Sequence, residues 1–146
     1  MLWHLTEAKR ALRFEGHTAE VCGVRFAPSG SLLASASRDG TVRFWMVNKK
    51  DESRVLRAHI GAGVRSLDFS PDGHSLATAS DDMTVKVWSV QRQSLQQTIT
   101  AHSNWVHSVR FSSDGRLLAS CSDDKTLSIW DVGAKTSAHC FTDSGK

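Results

Sequence analysis

The residues that could do chemistry in this chain come in sets. Three histidines, His17, His59 and His102, are each followed by a serine or threonine (Ser35, Thr78, Ser120), and four residues later by an aspartate (Asp39, Asp82, Asp124). Taken singly, each set has the residue types of nucleophilic catalysis: a hydroxyl to attack, an imidazole to take its proton, a carboxylate to orient the imidazole. Yet the sets recur at one period, which a catalytic constellation rarely does, and each is closed by a tryptophan six residues after the aspartate (Trp45, Trp88, Trp130). A part copied with every repeat is expected to hold the repeat together, so the chain is read as non-enzymatic. The remaining histidines, His4, His74, His107 and His139, show no metal-ligand spacing. No glycine loop of the Walker type is present, and no cofactor is expected. Cys22, Cys121 and Cys140 form no CxxC pair, and an odd count without secretory context predicts reduced thiols in the cytoplasm.

The elements that must position these sets are short strands. The first of each copy is Val21–Phe26, Val64–Phe69 or Val106–Phe111, with apolar residues roughly alternating. A turn follows at Pro28-Ser29-Gly30, Pro71-Asp72-Gly73 or Ser113-Asp114-Gly115, where glycine accepts positive φ. The second strand is Leu32–Ser37, Ser75–Ser80 or Leu117–Ser122, rich in small residues that suit close packing. The aspartate lies in the next turn, and the third strand runs to the tryptophan. A fourth, weakly patterned strand is expected near Val55–Ala58, Leu95–Ile99 and Ala138–Phe141. No long helical period is found, and the fold class is all-β.

The tryptophans are 43 and 42 residues apart. That period and signature resemble the WD repeat (WD40), whose four-stranded antiparallel unit is one blade of a β-propeller. The resemblance implies that His17, Ser35, Asp39 and Trp45, His59, Thr78, Asp82 and Trp88, and His102, Ser120, Asp124 and Trp130 form structural tetrads. In each, the indole would donate to the hydroxyl, the hydroxyl to the imidazole and the imidazole to the carboxylate. Trp3 precedes His17 by the 14 residues that separate Trp45 from His59 and Trp88 from His102. Residues 1–14 are therefore expected to be half a blade, with three whole blades at 15–58, 59–101 and 102–146. A partial propeller of this kind has two open flanks, and the expected origin is a piece of a longer propeller.

The charge of +3 is mildly basic, and Arg25, Arg43, Arg65, Lys86 and Arg110 are spread along strands rather than clustered. Solvated strand faces account for them; an acidic partner such as nucleic acid or a tubulin surface is the alternative. With no tyrosine and no basic-aromatic platform, nucleic-acid binding is not expected. The first residues lack the apolar core of a signal peptide, no segment is long enough to cross a membrane, and no membrane contact is expected.

A narrower resemblance is carried by ASRDGTVRFW, TASDDMTVKVW and HSNWV, together with MLWHL and NKKDES. These runs resemble the centriolar WD-repeat family known as the proteome-of-centriole proteins, and the likeness covers nearly the whole chain. It implies a scaffold of centrioles and ciliary basal bodies, in the cytoplasm and cytoskeleton. It further implies contacts with triplet microtubules and centriolar proteins, and a C-terminal coiled coil beyond this chain. The alternative is another WD-repeat adaptor, such as a ubiquitin-ligase substrate receptor or a signalling scaffold. Three departures from the general repeat stand out. Gly-His survives only at Gly16-His17, Trp-Asp survives only at Trp130-Asp131, and one extra residue falls within Ile60-Gly61-Ala62-Gly63.

In WD repeats the histidine loop and the aspartate turn share one end of the blade. Residues beside them are therefore the candidate protein-binding surface: Glu20, Cys22, Gly63, Arg65, Trp105 and His107 from the first strands, and Arg38, Asp81 and Asp123 from the turns. Trp105 stands out because its matched positions hold Glu20 and Gly63, so the repeat itself needs no indole there.

Overall fold

The computed structural model describes residues 14–48 and 53–142. Twelve strands follow in order: β1 (Val21–Phe26), β2 (Leu32–Ser37), β3 (Val42–Met46), β4 (Ser53–Leu56), β5 (Val64–Phe69), β6 (Ser75–Ser80), β7 (Val85–Ser89), β8 (Ser94–Ile99), β9 (Val106–Phe111), β10 (Leu117–Ser122), β11 (Thr126–Asp131) and β12 (Thr136–Thr142). They form three four-stranded sheets, each a run of consecutive antiparallel hairpins. Short loops permit only that pairing. The expected half blade of residues 1–14 lies, except for Phe14, outside the described residues.

The hairpin turns explain the glycines. Gly30, Gly73 and Gly115 sit at φ of 77°, 76° and 75° between the first and second strands of their sheets. The next turn needs the same left-handed geometry. It is met by Gly40 in the first sheet but by Met83 and Lys125, at φ 73° and 68°, in the others. The fourth strand of the first sheet lies earlier than expected, at Ser53–Leu56 rather than Val55–Ala58. Leu56 pairs with Val42 and enters the core, and Ala58 leaves the strand to carry the loop to His59.

The core lies between sheets, not within one. Ala34, Ala36, Val42, Phe44 and Leu56 of the first sheet pack on Val64, Leu67, Phe69, Leu76 and Trp88 of the second. Ala77, Ala79, Val85, Val87 and Ile99 of the second pack in the same way on Val106, Val109 and Leu118 of the third. The alanines matter: a small residue on the second strand lets the next sheet approach closely, and large side chains from that sheet fill the gap. The second sheet thus buries two unlike faces, one against each neighbour, and the sheets are stacked about the side of β1, β5 and β9. The three unclosed sheets are part of a β-propeller.

Candidate interaction surface

The three histidine sets come together as hydrogen-bonded chains. His59 Nδ1 lies 2.7 Å from Asp82 Oδ2 and Nε2 lies 2.8 Å from Thr78 Oγ1, which accepts the Trp88 indole N–H at 3.0 Å. This pattern needs the Nδ1–H tautomer, with the threonine hydroxyl donating to Nε2. In the first sheet the distances are 3.0 Å for His17 to Asp39, 2.6 Å for His17 to Ser35 and 2.9 Å for Trp45 to Ser35. The third set departs from expectation. His102 reaches Asp124 at 3.1 Å and Ser120 at 2.7 Å, but the Trp130 indole donates instead to Gln97 Oε1 of the preceding sheet, at 3.0 Å. The physical reason lies in Gln97, whose amide also donates to Val132 O at 2.9 Å and so stands against the third sheet, where it captures the indole.

These chains fix turns. Burial would raise the Asp39 carboxyl pKa, but bonds from the Thr41 hydroxyl, the Thr18 and Thr41 amides and His17 outweigh it and hold the pKa well below the usual range. Asp124 is held low in the same way by Thr126, Ser103 and His102, and Asp82 by Thr84 and His59. His59 is fully buried, and that burial depresses its pKa and keeps it neutral despite Asp82. The Thr78 and Ser35 hydroxyls are unsuited to nucleophilic attack. Thr78 is fully buried, and it and Ser35 each already bind an imidazole and an indole.

Just beyond the histidine sets, the candidate surface residues pair off along the blade ends. The amides of Arg38, Asp81 and Asp123 donate to the carbonyls of Glu20, Gly63 and Trp105 at 2.9, 3.1 and 2.9 Å. The register of each first strand shifts here, so that Cys22, Arg65 and His107 fall on β-bulges. A bulge re-aims its side chain. Arg65 is thereby turned onto Asp81, with Nε 2.6 Å from Oδ1 and Nη2 3.3 Å from Oδ2. His107 is turned onto Asp123, its Nε2 in direct contact with Oδ1. Cys22 is exposed, and Arg38 makes only a loose 3.8 Å ion pair with Glu20. Trp105 lies across the boundary between sheets with the Arg65 guanidinium 4.9 Å above its ring, yet half of the indole stays in solvent.

Two further exposed side chains share this end of the blades and were not singled out from the sequence. Ile60, in the loop with the extra residue, is 90% exposed. Met83, in the turn beside Asp82, is half-exposed despite its positive φ. The available signal was an apolar residue at a position where the turn favours glycine or asparagine.

Three stacked sheets with their histidine chains define a class: a β-propeller assembled from repeats. The WD domain, G-beta repeat family matches residues 8–46, 50–89 and 93–131, and the chain belongs to that family. It is similar to the WD40 repeat-containing protein HOS15 of Arabidopsis thaliana, 43% identical over 53 residues, covering 36% of this chain and 8% of that protein. It is also similar to pre-mRNA-processing factor 19 of Bos taurus, 46% identical over 48 residues, covering 33% of this chain and 10% of that one. Among solved structures, that of U3-55K superposes with a TM-score of 0.84 at 23% identity, over 91% of this chain and 42% of that one. The chain thus spans less than half the length of each of these proteins. WD-repeat proteins serve as interaction scaffolds and adaptors for other proteins.

Proposed function

We propose that this chain is a non-enzymatic scaffold that binds protein partners through the blade ends bearing Ile60, Met83, Arg65 and Trp105. The observation that supports this most is the exposure of three large apolar side chains, Ile60, Met83 and Trp105, at positions where the repeat needs none. Exposed apolar groups beside a rigidly held arginine are the usual anchors of protein interfaces. The proposed place of action is the centriole and ciliary basal body, with tubulin and centriolar proteins as partners. That part rests on the resemblance of the sequence runs.

A second reading, an adaptor in another pathway, is favoured by the unlike names of the relatives, which have the repeat in common. Imaging of the tagged protein separates the two. Centriolar signal that is lost in Trp105→Ala combined with Ile60→Asp supports the proposal. A diffuse wild-type signal overturns the centriolar part. Normal retention of the double variant moves the contact to another face.

A further inference from the structure

We infer that the hollow across strands β1, β5 and β9 binds one anionic group, a carboxylate or a phosphoryl, carried on an acidic segment of a protein partner. The site goes beyond the blade-end surface proposed above and has only Arg65 in common with it.

Arg25, Arg43, Arg65, Lys86 and Arg110 are spread along the sequence, and folding sorts them into two groups. Arg43 and Lys86, on third strands, lie over the Trp45 and Trp88 rings at 5.8 and 6.0 Å from the centroids. Arg25, Arg65 and Arg110, on the first strands, converge on one hollow of about 230 Å³. His107, Ser66 and Ser108 line it as well. The hollow crosses both junctions between neighbouring sheets, with β5 in the middle, and it lies away from the outer faces of the first and third sheets. In a β-propeller, the edge about which the blades are stacked faces the central channel.

The positive charge here is only partly matched. Arg65 is paired with Asp81 at 2.6 Å, and His107 with Asp123. Arg25 and Arg110 have no carboxylate within ion-pair distance among the described residues. Arg25 Nη1 donates to Val24 O at 2.8 Å. Arg110 Nη1 donates to Val109 O at 2.8 Å and reaches back across the sheet junction to Ser66 Oγ at 3.4 Å. A guanidinium carries a fork of N–H donors, so both arginines keep most of theirs for a ligand. Asp68 holds the matched position between them on β5, but it does not line the hollow. Its Oδ2 accepts the Phe111 amide at 2.8 Å instead.

Two unpaired guanidiniums beside serine hydroxyls are suited to the oxygens of a carboxylate or a phosphoryl. No Phe, Tyr or Trp lines the hollow, so a nucleic-acid base has no ring to stack on. That favours a protein segment as the carrier of the anion.

Fluorescence anisotropy with the full chain tests this. The probes are a labelled glutamate-rich peptide, the same peptide with one glutamate replaced by phosphoserine, and a labelled single-stranded oligonucleotide. Arg25→Gln and Arg110→Gln should each weaken peptide binding about tenfold or more. Arg110→Lys keeps the charge, loses the fork and should still weaken binding severalfold. Arg92→Gln removes the same charge from the exposed β7–β8 turn and should change binding by less than about twofold. Ile60→Ser spoils the blade-end surface and should leave peptide binding as it is, so failure of one site is told from failure of the other. Inorganic phosphate should displace the peptide at a lower ionic strength than chloride does. The arginine variants should melt with the wild type, because their side chains hold only the carbonyl next in sequence and one long bond to Ser66. Tighter binding of either peptide than of the oligonucleotide bears the inference out, and the preferred peptide names the anion. A wild type that binds neither peptide overturns it. Weakening by Arg92→Gln as large as that by Arg25→Gln overturns it too, since net charge alone then explains the binding. An oligonucleotide that binds more tightly than both peptides overturns it in favour of nucleic acid.

Discussion

Trp130 donates its indole N–H to Gln97 Oε1 at 3.0 Å, so the third sheet's tryptophan is tied to the second sheet and not to its own serine. Gln97 also donates to the carbonyl of Val132 at 2.9 Å. One amide thus satisfies a donor and an acceptor of the neighbouring sheet, with fixed geometry between them.

Gln97→Ala should accordingly uncouple the second and third sheets. It leaves the Trp130 N–H and the Val132 carbonyl unpaired, at a cost of about 1–3 kcal/mol. Gln96→Ala, beside it but with only an exposed 3.2 Å bond from Ser75, should change stability by no more than about 0.5 kcal/mol. Urea denaturation of both variants checks the difference, and equal midpoints would dismiss the coupling.

Asp124→Ala should cost about 1–3 kcal/mol, because it strands His102, the Thr126 hydroxyl and amide, and the Ser103 amide together. Lys125→Ala, one residue away and exposed, should cost no more than about 0.5 kcal/mol. Thermal melts of the two variants read the contrast.

Stability should fall on acidification in two stages. His59 has a folded pKa below its ordinary value, so the unfolded chain binds more protons around it, and its contribution is lost as pH drops below about 6.5. Asp39, Asp82 and Asp124 also have lowered folded pKa values. Their contribution is complete above the ordinary carboxylate pKa and is lost as pH falls from about 4 toward their folded values. Melting temperatures measured from pH 8 to pH 3 should decline in both windows. His59→Gln should remove much of the upper decline, and an unaltered upper decline in that variant would exclude His59 as its source.

Gly40 and Met83 occupy matched turns and should respond unequally. An alanine Cβ at Gly40 would lie 2.5 Å from the His59 carbonyl oxygen, at a φ of 87° that disfavours any side chain. Gly40→Ala should therefore cost about 2 kcal/mol or more. In Met83→Gly the relief of left-handed strain, about 1 kcal/mol, roughly offsets the entropy that glycine adds to the unfolded chain, leaving a net change within about 0.5 kcal/mol. If Met83 serves binding, that variant keeps its melting temperature and loses partner affinity, which a pull-down beside the melt would show.

The sequence by itself determined the repeat: its period, the hairpin turns at Gly30, Gly73 and Gly115, the first and second strands, and the all-β class. These follow from local patterning, since alternation and turn chemistry act over a few residues and recur three times. The fourth strands were less legible, because β4, β8 and β12 are mostly exposed, with only Leu56 and Ile99 buried among their described side chains, and water-facing positions set no apolar pattern.

Only the tertiary structure decided what happens between sheets. Spacing could not reveal that Trp130 turns to Gln97, since that bond depends on how two sheets are set against each other. Nor could it show that bulges at Arg65 and His107 aim those side chains at Asp81 and Asp123, or that Arg65 covers one face of Trp105. Exposure was equally hidden. Val24 and Leu67 hold matched apolar positions, yet one is half in water and the other buried, because burial depends on whether another sheet stands beside it.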